Sequence, residues 1–424
     1  MLLIGAMTAT DINGTIDAVW RIEQAKLIAS LARIVRDVGV AEELAQDALV
    51  AALKQWPEQG IPRNPGAWLM AAAKNRAFDQ HRRRKMLDRK HRQIAHELEE
   101  DQAEVPDLDT ALDDHIGDNL LSLIFTACHP LLSPDARVAL TLRLLGGLTT
   151  DEIARAFLIP EPTVAQRIVR AKRTLAEAGV PFEVPRGADM AERLSSVLEV
   201  IYLIFNEGYA ATAGDDWLRP QLSQEAMRLG RILAELAPDE AEVHGLVALM
   251  ELQASRFPAR TGPTGEPILL LDQNRARWDQ LLIRRGLAAL ARAEALDRPR
   301  GPYLLQASIA ACHGRAHRAE ETDWPKIAAL YAALMQLVPS PVIELNRAVA
   351  IGMAFGPAPG LDIVDELVAS QSLRAYYLLH SVRGDLLFKL GRLQEAKSEF
   401  EKAAAMTRNA RERTLLLERA AASA

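Results

Sequence analysis

Apolar residues in this chain recur three and four positions apart almost from end to end, and that spacing admits one kind of regular structure. An α-helix repeats every 3.6 residues and gathers such positions on one face, whereas a half-buried strand needs strict alternation. Aromatic residues make up only 5% of the chain and Ala, Leu and Arg are abundant, which is the opposite of a strand-forming composition. The chain is therefore expected to be all-α. At 424 residues it is too long for one ordinary core, so two or three domains are expected.

Hydrophobic residues are 49% and charged residues 25% of the chain, with no long uninterrupted apolar span, so no membrane partner is expected. The N-terminus lacks the charged, apolar and small-residue segments of a secretory signal. The two cysteines, Cys128 and Cys312, lie far apart and form neither a disulfide framework nor a CxxC metal site; each reads as a small buried apolar residue. A reducing cytoplasm fits. His129, His244, His313, His317 and His380 are isolated, without HExxH or HxH spacing, and no GxSxG or Walker-type glycine loop occurs. The chain is not expected to be an enzyme, and no cofactor or metal is expected.

The formal net charge is −6, but the charge is not evenly spread. Between Arg63 and Arg92 ten lysines and arginines face only Asp79 and Asp88. Arg82, Arg83, Arg84 and Lys85 are consecutive, a pattern suited to an anionic partner rather than to solubility. From His96 the chain turns acidic, "HELEEDQAEVPDLDTALDDH", which reads as a linker. The organisation expected is a first block over 1–92, an acidic linker over 93–115, a second block over 116–180, and a large C-terminal helical block over 187–424.

The second block carries the most specific local signal. Ser133 is placed to cap a helix that has Pro134 in its first turn, and Gly146 and Gly147 can end it. Thr149 followed by Glu152 fits a capping box opening a short helix, "DEIARAFL". A turn through Ile159 and Pro160 then leads into a third helix beginning near Glu161. On that helix Val164, Ile168, Ala171 and Leu175 form an apolar stripe, while Thr163, Gln166, Arg167, Arg170 and Arg173 take the opposite side. This is a helix-turn-helix with a face able to read base edges in a major groove.

In the C-terminal block Gly384, Leu387, Gly391, Ala396, Phe400 and Ala403 have the small and large residues of a tetratricopeptide repeat. Ala348, Ile351, Gly360, Val364 and Leu367 repeat the same offsets upstream. A short helical-repeat array and an irregular helical bundle both remain open. The group Arg275, Arg277, Trp278 and Asp279 has two readings, a ligand or docking site and an internal salt-bridged cap. His129 reads as a polar residue at a helix approach.

The order of these segments resembles the extracytoplasmic-function class of the sigma-70 superfamily of bacterial RNA polymerase sigma factors. There a helical region 2, here ending in "NPGAWLMAAAKNRAFDQHRRRK", is joined by a linker to the region 4 helix-turn-helix. "IYLIFNEGYAAT" and the sequence around "FTACHPLLSPDARVALTL" resemble the subgroup with a long helical, tetratricopeptide-like C-terminal extension. The resemblance implies core RNA polymerase and promoter DNA, both double- and single-stranded, as partners. It implies that Thr163, Gln166, Arg167, Arg170 and Arg173 meet the minus-35 element, and that Ile61, Arg63, Asn64, Asn75, Arg76, Arg82 and Arg83 meet the opened minus-ten element. On a helical wheel Trp68, Ala72, Asn75, Asp79, Arg82 and Arg83 share one stripe, and Leu69, Met70, Ala73 and Ala77 make the buried one.

The helix from Ala41 matches the surface that grips polymerase clamp helices. Glu42, Glu43, Gln46 and Asp47 would give polar recognition around Leu49, Leu53 and Trp56, although those apolar residues also suit a core. The acidic linker has two readings, phosphate mimicry inside a polymerase channel and plain flexibility. Ala165 departs from the long polar or cationic residue of many relatives, which shifts readout toward Gln166 and Arg170. The C-terminal block would tune activity, by docking on the sigma core or by binding a partner protein along its concave repeat surface. The competing reading is a helix-turn-helix regulator with a helical sensor domain that never replaces a sigma factor.

Overall fold

The computed structural model describes residues 9–77, 116–157, 159–209, 219–263, 266–407 and 409–423. The described residues form helices and no strand, in agreement with the helical period of the sequence. The chain divides into two compact units, residues 1–200 and 201–424.

Unit 1 begins with a hairpin of α1 (Ala9–Val35) and α2 (Val38–Gln59). Arg36 adopts a positive φ of 56°, and Asp37 caps α2 by accepting from the amides of Gly39 at 2.7 Å and Val40 at 3.0 Å. Gly60, at φ 82°, closes α2 by donating to the Trp56 carbonyl. Helix α3 covers 65–77. Leu27, Ile28, Leu31, Leu44, Trp56 and Leu69 are each at most 2% exposed and make the core of this block.

Beyond the undescribed segment 78–115, α4 (Ile116–Ala127) packs on α1, followed by α5 (Pro134–Leu144), α6 (Thr150–Phe157) and α7 (Glu161–Glu177). Each sequence signal acts where expected. Ser133 Oγ accepts from the Ala136 amide, and Pro134 sits in the first turn. The Thr149 amide donates to Glu152 at 2.8 Å while Glu152's amide donates to Thr149 Oγ1 at 3.1 Å, completing the capping box. His129 Nδ1 accepts from the Leu131 amide, so that ring shapes the approach to α5. Helix α8 (Ala188–Tyr209) follows the 179–187 connector. Its first half belongs to unit 1: Ser196 donates to the Cys128 carbonyl, Arg193 to the Phe125 carbonyl at 3.0 Å, and Arg137 of α5 reaches Glu199 at 3.0 Å.

Unit 2 runs through α9 (Pro220–Leu236), α10 (Ala241–Ala254), α11 (Gln280–Ala295), α12 (Pro302–Arg315), α13 (Trp324–Leu337), α14 (Pro341–Phe355), α15 (Pro357–Ala369), α16 (Tyr377–Lys389), α17 (Leu393–Met406) and α18 (Ala410–Ala422). From α12 onward each helix packs on the next in sequence, so contacts stay local. Helix α10 is buried on nearly every side, between α9, α11 and α12.

The two segments with matching small-residue spacing both form helical hairpins. In α16–α17 a Cβ on Gly384 would lie 2.8 Å from the Phe400 ring, so only glycine lets that ring seat. Thirty-six residues earlier, in α14–α15, Ala348 and Val364 hold the corresponding positions, and the smaller partner tolerates a methyl group. Asp279 does cap α11, accepting from the Leu281 and Leu282 amides. The expected salt bridge at Arg275 is not what holds it. Its guanidinium donates to the carbonyls of His313 and Ala316 and to the Thr322 hydroxyl, all neutral, and stacks near Trp278.

Two expectations follow from this packing. Phe400, 1% exposed and covered by the Arg419 guanidinium, fills the α16–α17 seam, so Phe400→Ala should cost about 3–5 kcal/mol, read as a lower urea midpoint by circular dichroism. Burial pushes the Cys128 thiol up to about 11, and that of Cys312 upward as well. At pH 8 both stay protonated in the folded chain, so iodoacetamide should label them far more slowly than in urea.

Candidate nucleic-acid interface

Helix α7 shows how one segment is divided between packing and recognition. Val164, Ile168, Ala171 and Leu175 are 0–5% exposed and seat the helix on α5 and α6. Gln166, Arg170 and Arg173 are exposed, whereas Thr163 and Arg167 are half-buried. Arg167 pairs with Asp135 at 3.0 Å, and Arg173 with Glu177 one turn along at 2.6 Å. Arg170 pairs with no carboxylate among the described residues. Sequence reasoning passed over Val169, which is 63% exposed between Gln166 and Arg170. Its position outside the apolar stripe was the available signal, and an exposed branched side chain there suits a thymine methyl group.

In the first block α3 buries Leu69 and Ala73, but Met70 and Ala77 are only half-buried, so its packed stripe is narrower than the helical wheel suggests. Asn64 is engaged at the helix start, where its Oδ1 accepts from the Ala67 amide at 3.1 Å, leaving its amide nitrogen to face outward partners. Arg63 and Asn75 are exposed and Ile61 is half-buried. Trp68 is half-buried with its ring edge-on to Trp56, centroids 5.3 Å apart. Arg82 and Arg83, the rest of the basic run, and the acidic stretch over 93–115 lie outside the described residues.

On α2, Glu43, Asp47 and Leu53 are exposed and Gln46 and Leu49 half-buried, with Val50 adding an exposed apolar side chain that the sequence did not single out. Trp56 is 2% exposed and is core. Asp47 meets Arg76 of α3 at 3.1 Å, which joins one residue of the polymerase set to one of the minus-ten set. Glu42 is different from its neighbours. It was expected to face a partner, yet it is 2% exposed and turned inward. Arg143 of α5 reaches it at 2.7 Å, Gln46 donates to it at 2.8 Å, and Lys172 of α7 pairs with its other oxygen. The periodicity of α2 could not reveal this, because the two cations lie 101 and 130 residues further along the chain.

No group of side chains able to hold a metal ion occurs among the described residues, and none of their helices is long and apolar enough to cross a membrane.

Three families match the chain. The one described as Sigma-70 region 2 covers residues 21–86, Sigma-70, region 4 covers 122–175, and a family of unknown function, DUF6596, covers 193–294. An uncharacterized protein of Rhizobium meliloti (strain 1021) is 43% identical over 405 residues, 94% of each chain. No solved structure matches. With region 2 over α1–α3, region 4 over the helix-turn-helix and a helical extension beyond them, the chain belongs to the sigma-70 family, as an extracytoplasmic-function-like factor with a C-terminal extension.

Proposed function

We propose that this chain is an extracytoplasmic-function sigma factor that joins core RNA polymerase, reads a minus-35 element through α7 and opens a minus-ten element through α3 and the basic run after it. The observation that carries this reading is the outward polar face of α7, with Gln166, Arg170 and Arg173 exposed, within one chain whose regions 2 and 4 stand in sigma-70 order. Glu43, Gln46, Asp47, Leu49 and Leu53 form the polymerase surface on α2. Thr163, Gln166, Arg167, Arg170 and Arg173 face the minus-35 duplex. Ile61, Arg63, Asn64, Asn75, Arg76, Arg82 and Arg83 hold the minus-ten strand, the arginines on phosphates and the polar side chains on base edges. The C-terminal extension, with its hairpins of tetratricopeptide-like spacing, modulates activity through a protein partner, and the chain works in the cytoplasm.

The division of labour on α7 has a physical basis. Arg170, exposed and without an ion pair among the described residues, can offer both donors to one guanine, and a bidentate contact of this kind discriminates by about 1–3 kcal/mol. Arg167 and Arg173 must first leave Asp135 and Glu177, so they suit phosphates, where position matters less.

Transcription reconstituted from the purified chain and sigma-free core polymerase tests the reading. RNA should start at a matching promoter without another sigma factor; a strict requirement for one would make the chain a regulator instead. In the same assay Arg170→Ala should relax selectivity at one minus-35 position, and an equal loss on every sequence would make Arg170 a phosphate contact.

A further inference from the structure

We propose that unit 2 holds a binding site for a small organic anion, a carboxylate or a phosphate, at Arg256, where the ends of α8 and α10 meet α12, α13 and the loop before α11. All its residues belong to unit 2, so it stands or falls apart from the reading of the chain as a sigma factor.

Buried polar atoms with nothing to bind gather here. Among the described residues of unit 2 five such atoms make no hydrogen bond: Arg256 Nε, Gln273 Oε1, Arg275 Nε, Trp278 Nε1 and His313 Nδ1. They belong to one neighbourhood. Arg275 donates to the His313 carbonyl at 3.0 Å and stands 4.9 Å from the centre of the Trp278 ring, and the His313 ring lies edge-on to Trp324 at 5.2 Å. Arg256 is close enough to act on the charges of both His313 and Arg275. Arg275, Trp278 and His313 are 7%, 4% and 8% exposed, and buried polar groups of folded chains are nearly always paired, so the cluster calls for a partner.

The charge of the cluster says what kind. Arg256 is half-buried, gives Nη2 to the Tyr209 hydroxyl and stands over that ring, and it meets no carboxylate among the described residues. Arg275 spends its two terminal nitrogens on two carbonyls and a hydroxyl, all neutral, and Glu320 and Glu321 act on it only from beyond ion-pair distance. Arg260, 5% exposed, brings a third guanidinium, lowered to about 10 by burial with Arg256 adding to the effect. Burial, Arg256 and Arg275 together lower His313 to about 3, so its ring is neutral and adds no charge. Water could satisfy the donors but would leave the cations uncompensated; an anion does both.

The lining suits an organic molecule. Tyr202 of α8 and Tyr331 of α13 are half-buried, and protein around them raises both hydroxyls, that of Tyr331 to about 12. Tyr202 donates to Gln306 of α12 at 3.3 Å, whereas the Tyr331 hydroxyl, within reach of the fields of Tyr202 and Arg256, has no hydrogen-bond partner among the described residues. Arg256 and Tyr331 thus offer donors to a charged group, and the rings of Tyr202 and Tyr209 offer faces to an apolar body, the usual division in a small-molecule site. The Arg275–Trp278 group is its back wall, while Asp279 next to it caps α11.

Calorimetry of the full chain with sodium phosphate and sodium benzoate, against sodium chloride at matched ionic strength, tests the site. One of the two should bind at least about tenfold more tightly than chloride, benzoate for a carboxylate site and phosphate for a phosphate site. Arg256→Gln should weaken that binding about tenfold or more, since it removes a charged donor. Tyr331→Phe, which keeps the ring and removes one hydroxyl, should weaken it about threefold and serves also if the arginine variant does not fold. Thermal melting separates a ligand site from a strut. Without added anion R256Q should melt no lower than the unmodified chain, because it takes a cation away from two others, and the bound anion should raise the Tm of the unmodified chain alone.

No preference of either anion over chloride would overturn the site, as would equal binding by the unmodified chain and both variants. Lower melting of R256Q with and without the anion would make Arg256 a support for Tyr209 and would overturn it too.

Discussion

A helix can give only part of its circumference to a core, and the chain's recognition surfaces depend on that limit. Helix α7 seats itself with Val164, Ile168, Ala171 and Leu175, and α3 with Leu69 and Ala73. What is left over on α7 is a strip of polar and cationic side chains held at a defined angle, because the opposite strip is close-packed, while the outward positions of α3 are Ala67, Ala71 and Asn75. Outward side chains on these helices are thus oriented by residues buried on the opposite side. The Asn64 cap fixes where α3 starts, and the Ser133 cap and the Thr149–Glu152 capping box fix the starts of α5 and α6, on which α7 seats.

Electrostatics adds a second layer. Three described cations on the proposed DNA faces already have a carboxylate: Arg167 has Asp135, Arg173 has Glu177 and Arg76 has Asp47. Exposed pairs of this sort are worth about 0–1 kcal/mol and yield readily to phosphate. The Glu42 cluster is of another kind. It lies in the interior and links α2 to both α5 and α7, so it joins region 2 to region 4.

Unit 2 follows a simpler rule. Its helices pack mainly on sequence neighbours, and close approaches are made by small residues such as Gly384 opposite Phe400. Its buried Arg275 donates to two carbonyls and a hydroxyl, which anchors the loop before α11 without a carboxylate in contact.

The helical class, the helix-turn-helix with its caps, and the apolar stripe of α7 were legible in the sequence because each is a local matter: a period of 3.6, a Ser or Thr before a first turn, a glycine at a positive φ. Only the tertiary structure decided the fate of residues whose environment is made by distant segments. Glu42 shares its helix and polarity with Glu43, yet one is interior and the other exposed, since Arg143 and Lys172 arrive from elsewhere in the chain. Trp56 became core for a similar reason, and Arg275 found carbonyls instead of carboxylates. Periodicity tells which side of a helix is buried in something; it carries no information on what that something is.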